Sequence, residues 1–313
     1  MPRKKSPSVP SPDLSVAIAG VRFVSPVWTA SGTAGVGEEV SDWNDVSKLG
    51  AMVTKSVSLE PRSGHPYQRT VETAGGMLNA IGLQNKGVEA FIRDELPRLR
   101  QMPTRVVINI VGHEQDHYVQ MVERLDRESG IDLYELNLSC PNVAKGIDNG
   151  SDASWVGECV AKVRAATKRP LVVKLTPNTS DIASLARAAA DHGADAISAI
   201  NTLVGLAVNY NTFKPRLSNV TGGLSGPAVK PVALACVHKI AKAVKIPVIG
   251  IGGIYSGTDA AEFLIVGATT VQVGTANFRH PDAPVRVTAE LSAYLAAKQI
   301  ARVGDLVGRL ALS

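Results

Sequence analysis

LVVKLTPNTSDIASLARAAADHGADAISAI, residues 171–200, holds one complete unit of the architecture. LVVKL (171–175) and DAISAI (195–200) are short apolar runs, the pattern of parallel strands covered on both faces. The segment between them has a helical period. Ser180 or Asp181 can cap its start, Ile182, Leu185, Ala186 and Ala189 share one face, and Gly193 can end it.

The same alternation extends in both directions. VWTAS (27–31), AMVTK (51–55), RVVINI (105–110), LYELNL (133–138), PVIGI (247–251) and TVQV (270–273) read as further strands, which makes eight. In SGTDAAEFLIVG, Thr258 or Asp259 can cap a helix whose Phe263 and Leu264 face inward and which Gly267 stops. Eight such strands, each followed by a helix or a long loop, predict an α/β fold, a (β/α)8 TIM barrel. A doubly wound open sheet is the alternative. Residues 56–104, with a helix near 88–100, and residues 201–228 are too long for simple connections. They read as inserted loops after strands 2 and 6, of the kind that serve as lids or pocket walls.

The chain has 313 residues, 45% of them hydrophobic, enough for one large domain with a sizeable core. Its formal charge of +5 is scattered among acids and aromatic residues make up only 4%, which argues against nucleic acid while leaving an anionic ligand open. Cys140, Cys159 and Cys236 are odd in number and far apart, so neither a disulfide framework nor a metal site is supported. Free thiols fit a reducing compartment, and the chain reads as cytoplasmic. Residues 1–13 read as a flexible, basic, Pro/Ser-rich tail, and 14–313 as a single barrel domain that carries the catalysis. No apolar run approaches the roughly 18 residues of a membrane span.

In a barrel the working face is the C-terminal end of the strands. Ser31 and Gly32 follow the first strand, Lys55 and Ser56 end the second, and Asn109 lies in the third. Asn137 and Cys140 close the fourth, Lys174 the fifth, and Asn201 with Thr202 the sixth. Gly252 and Gly253 follow the seventh, Gly274 and Thr275 the eighth. A lysine at a strand end is ordinarily a solvated charge, but two inside otherwise apolar strands weaken that reading. Amides within strands, such as Asn109 and Asn137, are costly without a polar partner. GIGGI and VGTAN fit phosphate binding by backbone N–H groups, although Gly252 and Gly253 alone could make a tight turn. Neither G-x-G-x-x-G nor a Walker sequence occurs.

In ELNLSCPN (135–142), Leu136 and Leu138 alternate with polar neighbours, and Cys140 then falls on a loop beside Pro141. A thiol there can act as nucleophile or general base. None of His65, His113, His117, His192, His238 and His280 is evidently placed to serve it as partner, so proton abstraction is the better reading. Cys159 and Cys236, in helical segments, read as small buried hydrophobes.

Across residues 14–298 these features resemble class 1 dihydroorotate dehydrogenase, and are most similar to the NAD-dependent 1B catalytic subunit. The motifs, in order, are ASGTAG (30–35), TKSVSLEPRSGHP (54–66), ETAGGMLNAIGLQNKG (72–87), NLSCPN (137–142), VVKLTPN (172–178), INTLVG (200–205), NVTGGLSGPAVKPVAL (219–234), IGIGGI (249–254) and QVGTANF (272–278). The resemblance implies FMN-dependent oxidation of (S)-dihydroorotate to orotate in pyrimidine (UMP) biosynthesis. Cys140 would take the C5 proton while hydride leaves C6 for flavin N5. It implies substrate binding by Lys55, Asn79, Asn137, Asn142, Asn201 and Thr202, with backbone groups of Ile81, Gly82 and Leu83. It implies an FMN cradle of Ala30, Ser31, Gly32, Lys55, Ser56, Asn109, Asn137, Ile200, Ser225, Gly226, Gly252, Gly253, Gly274 and Thr275. Lys174 would lie beside flavin N1 and O2. The stretch VAKGIDNGSD after the cysteine has fewer small residues than the family's usual glycine-rich lid.

The 1B resemblance also implies a homodimer within a heterotetramer, whose electron-transfer subunit carries FAD and a [2Fe–2S] cluster. This chain has no dinucleotide fingerprint and no four-cysteine cluster, so a partner must supply both. Rival expectations are a fumarate-linked class 1A enzyme and a flavin barrel acting on uracil or thymine. Asn142 speaks against the second, because a histidine follows the Cys-Pro pair in those relatives. A Schiff-base aldolase using Lys55 or Lys174, and a non-catalytic phosphate-binding barrel, complete the set.

Overall fold

The computed structural model describes residues 11–35, 41, 45–138 and 149–312. Eight strands close into a barrel: β1 (Val27–Thr29), β2 (Ala51–Val53), β3 (Arg105–Ile110), β4 (Leu133–Asn137), β5 (Leu171–Lys174), β6 (Ala196–Ala199), β7 (Val248–Ile251) and β8 (Thr270–Val273). Every neighbouring pair around the ring is parallel, and β8 returns to β1 through Gln272 opposite Trp28. Each sequence-predicted strand is present, trimmed by one or two residues at some ends. The open-sheet alternative is thereby excluded.

Helices α1 (Gln115–Leu125), α2 (Ala153–Ala166), α3 (Ile182–Asp191), α4 (Lys230–Ala243), α5 (Gly257–Ile265) and α6 (Ala283–Ala297) alternate with β3 to β8. In α3 the Asp181 carboxylate caps by accepting from Ser184 N at 3.1 Å, and Ile182, Leu185, Ala186 and Ala189 are its buried face. In α5 the cap is Ser256, not the expected Thr258 or Asp259. Ser256 Oγ accepts from Asp259 N, while the Asp259 carboxylate accepts from Ser256 N, a reciprocal capping box. The structure thus gives Asp259 the returning role in the box.

The two insertions after β2 and β6 do more than cover the barrel. They pair with each other in a four-stranded antiparallel sheet, in the order Leu203–Leu206, Thr221–Ser225, Gly76–Asn79, Thr70–Thr73. Its glycines are strand residues that permit close approach. A Cβ on Gly223 would lie 2.0 Å from Thr202 Oγ1, and one on Gly76 would lie 1.9 Å from Ser225 O. Val71, Leu78, Ala80 and Leu217 form a small separate core beneath this sheet. Residues 88–99 are helical, as expected.

α5 and α6 pack closely enough that a Cβ on Gly257 would stand 2.3 Å from Leu291 N and 2.4 Å from Glu290 C. Since both atoms are backbone, Gly257→Ala must shift a helix. It should destabilise the fold by about 1–3 kcal/mol, read as a lower thermal midpoint with the same circular-dichroism spectrum. An unchanged midpoint would contradict this packing.

Candidate active site

The C-terminal ends of the strands and the antiparallel sheet enclose a cavity of about 1370 Å³. This exceeds the roughly 300–1,000 Å³ usual for a single small ligand, so a nucleotide-sized group and a small acid fit together. Ala30, Ser31 and Gly32 line it beyond β1, and Lys55 and Ser56 beyond β2. Asn137 from β4, Lys174 from β5 and Ile200, Asn201 and Thr202 beyond β6 line the same space. Asn79, Ile81, Gly82 and Leu83 come from the first insertion, and Ser225 and Gly226 from the second. Gly252 and Gly253 beyond β7 and Gly274 and Thr275 beyond β8 complete the rim. Residues scattered over 246 positions of sequence, from Ala30 to Thr275, thus converge on one chamber because strand ends converge in a barrel.

Cys140 and Asn142 lie outside the described residues, as do the first ten residues of the expected tail and most of the stretch after the cysteine. Of the other two thiols, Cys159 is fully buried as expected, whereas Cys236 is only half-buried against the core. Burial pushes Cys159 up to about 12, and it raises Cys236 as well.

Asn109 is the one described residue of the expected cradle that does not line the cavity. It is fully buried one layer below, and both ends of its amide are used. Its Oδ1 accepts from Ser56 Oγ at 2.6 Å and its Nδ2 donates to Glu135 Oε1 at 2.7 Å. It holds the wall from behind.

Above that layer the amides form a chain. Asn201 Nδ2 donates to Asn137 Oδ1 at 3.2 Å, and Asn137 Nδ2 reaches Ser56 Oγ at 3.5 Å. Asn79 Nδ2 donates to Gly223 O at 3.2 Å, and Thr202 N donates to Asn201 Oδ1 at 2.8 Å. Their orientations are fixed by these bonds, which leaves pre-set donors and acceptors for a planar amide ligand. Half-buried Lys55 has no partner for its ammonium among the described residues. A cation so placed favours an anionic ligand.

Also in the lining, Gly226, Gly252 and Gly253 have φ of 102°, 128° and 74°. A Cβ on Gly253 would meet Lys230 Cβ at 2.8 Å and Gly226 O at 2.9 Å, so a side chain is excluded there and backbone lines the cavity at that point. Thr275 Oγ1 donates to Ser225 Oγ at 2.8 Å and ties the rim to the antiparallel sheet. Backbone amides with a hydroxyl pair suit a phosphate. The same chamber also holds the Lys55 cation and the bonded amides, so its lining offers partners for a phosphate, for an anion and for planar amides.

The site also holds residues to which the sequence motifs assign no role. Glu135 is fully buried in β4 and bonded to Asn109 and Gln272, with Lys174 Nζ at 3.7 Å. Its strand reads as covered on both faces, and the acid within it is assigned no role from the sequence. Asn178 secures the loop after β6 through Thr202 O at 3.0 Å and Val204 N at 3.0 Å. His65 and His113 line the cavity, and neither is assigned a place there from the sequence. His113 is held below the usual histidine range by burial, then by the charges of Arg62 and His117.

Comparisons with known proteins show the family and the fold. The family model described as dihydroorotate dehydrogenase matches residues 13–295. A protein of Geobacter metallireducens named "Dihydroorotate dehydrogenase B (NAD(+)), catalytic subunit" is 53% identical over 300 residues, covering 96% of this chain and 98% of that one. One of the same name from Citrifermentans bemidjiense is 51% identical over 302 residues, covering 96% and 99%. A solved structure of DHODH in complex with ferulenol from Eimeria tenella superposes with a TM-score of 0.79 at 24% identity, covering 95% of this chain and 88% of that chain, which shows the shared fold.

Proposed function

The chain belongs to the dihydroorotate dehydrogenase family, oxidoreductases of pyrimidine biosynthesis, and from that membership we propose that it oxidises (S)-dihydroorotate to orotate with FMN in the barrel mouth. Membership implies a flavin; when bound, it supplies the two-electron acceptor. Everything else is work for the chain's own residues. Lys55 pairs with the substrate carboxylate, and Asn79, Asn137, Asn142, Asn201 and Thr202 hold the ring amides. Cys140 takes the C5 proton as general base. Lys174 offers positive charge to the flavin pyrimidine, and Gly252, Gly253, Gly274 and Thr275 hold the phosphate. What supports this reading is the convergence of Lys55 and the bonded amides on one cavity that is also lined by glycines with no room for a side chain.

The relatives' names specify NAD(+) and a catalytic subunit, so electrons are proposed to leave through a partner subunit carrying FAD and a [2Fe–2S] cluster, in a heterotetramer built on a homodimer. Among the described residues no helix is long and apolar enough to cross a membrane.

Denaturing the purified yellow chain should release FMN. Release of FAD, or a colourless preparation, would contradict the assignment. Fumarate should leave the dihydroorotate-reduced chain reduced, whereas NAD with the partner should reoxidise it. Prompt reoxidation by fumarate would assign the chain to the fumarate-linked class instead. Gly253→Ala should stay folded yet hold FMN about tenfold more weakly, since a methyl costing about 1–3 kcal/mol must displace the rim; undiminished FMN affinity in equilibrium dialysis would count against the cradle.

A further inference from the structure

The barrel interior carries a fully buried carboxylate, Glu135. Glu135 Oε2 accepts from Gln272 Nε2 at 2.7 Å and Oε1 accepts from Asn109 Nδ2 at 2.7 Å, with Lys174 Nζ 3.7 Å from Oε1. β4 and β8 stand opposite in the ring, so a bond between Glu135 and Gln272 crosses the interior. Barrel interiors are ordinarily filled by Val, Ile and Leu. Removing a carboxylate from water is costly unless it is paired and hydrogen-bonded. A hydrogen-bond donor stands at each of the two oxygens.

Two observations connect this group to the cavity. Lys174 is only 6% exposed, and that little faces the chamber. Its 3.7 Å separation from Glu135 is too long for a good N–H···O bond, so the carboxylate compensates the charge without consuming the donors. The ammonium remains able to donate to a ligand.

We infer that Glu135 is a positioning residue that sets how much positive charge Lys174 presents to the flavin; the inference rests on the flavin reading of the cavity. A flavin ring that takes up two electrons and one proton gains one net negative charge. Lys174 favours that form, and Glu135 beneath it opposes the gain. Neutralising Glu135 while Lys174 stays must therefore raise the flavin's reduction potential. Gln272 and Asn109 fix the carboxylate, and Asn109 carries the same anchor to Ser56.

The test is a dithionite titration of flavin-loaded wild type, Glu135→Gln, Glu135→Asp and Gln272→Leu against a redox dye. Glu135→Gln should favour bound reduced over oxidised flavin by about tenfold more than wild type does, a rise of about 30 mV for a two-electron couple. Glu135→Asp keeps the charge, and Gln272→Leu removes a hydrogen bond without changing charge, so both should move this ratio by less than about twofold. An unmoved or lowered potential in Glu135→Gln overturns the inference, as does an equal rise in Gln272→Leu. Should Glu135→Gln fail to fold, Glu135→Gln/Lys174→Met decides, because a pair replaced together is tolerated where a lone buried charge is not. A folded double variant upholds the pairing. An unfolded one assigns Glu135 to barrel packing alone and overturns it. Wild type that binds no flavin defeats the flavin reading itself, whereas retained flavin with an unmoved potential defeats only this inference.

Discussion

Cys140→Ala is expected to be a yellow protein that dihydroorotate no longer bleaches. The proposed reaction removes a proton from one carbon and a hydride from its neighbour, and only the proton needs a base on the protein. Loss of a positioned general base slows such a step roughly 100- to 10,000-fold. Flavin retention should be normal, because the glycine rim and Lys174 that are proposed to hold it involve other strands. Cys140→Ser should retain weak activity that grows with pH, since a hydroxyl yields its proton less readily than a thiol and its basic form is scarce at neutrality. Anaerobic stopped-flow reduction reads both variants. A wild-type reduction rate in Cys140→Ala at neutral pH would remove the thiol from the mechanism.

Lys55→Met should lower kcat/KM for dihydroorotate by about 100-fold, with FMN still bound. Hydrogen bonds to charged groups contribute roughly 1.5–3 kcal/mol, and about 2.7 kcal/mol corresponds to two decades. Lys55 is the natural carboxylate partner because its ammonium has no other among the described residues, whereas Lys174 stands by Glu135. Arginine is a poor rescue: its planar fork does not reproduce a compact ammonium in a pre-set cavity. Steady-state kinetics across substrate concentrations distinguish this from a folding defect. A loss of less than about threefold would move the carboxylate contact to another residue.

The barrel was legible because parallel strands covered on both faces leave continuous apolar runs, and all eight stood out. The inward face of α3 was legible residue by residue, since helical period and burial coincide there. The antiparallel sheet was not. TGGLS and GMLN look like loop because glycine is depleted in strands, and only the facing strand explains why nothing larger fits. Rim residues could be named from strand ends, yet Asn109 and Glu135 show where that reasoning stops. Which side of a short strand faces the chamber depends on stagger around the ring, which no single strand reveals.

The most direct test of the central claim is the anaerobic addition of dihydroorotate to the purified, flavin-loaded chain, with no acceptor present, while the flavin's visible absorbance is followed. Stoichiometric bleaching accompanied by orotate formation is the predicted result. A flavin that dithionite bleaches but dihydroorotate leaves yellow would contradict it.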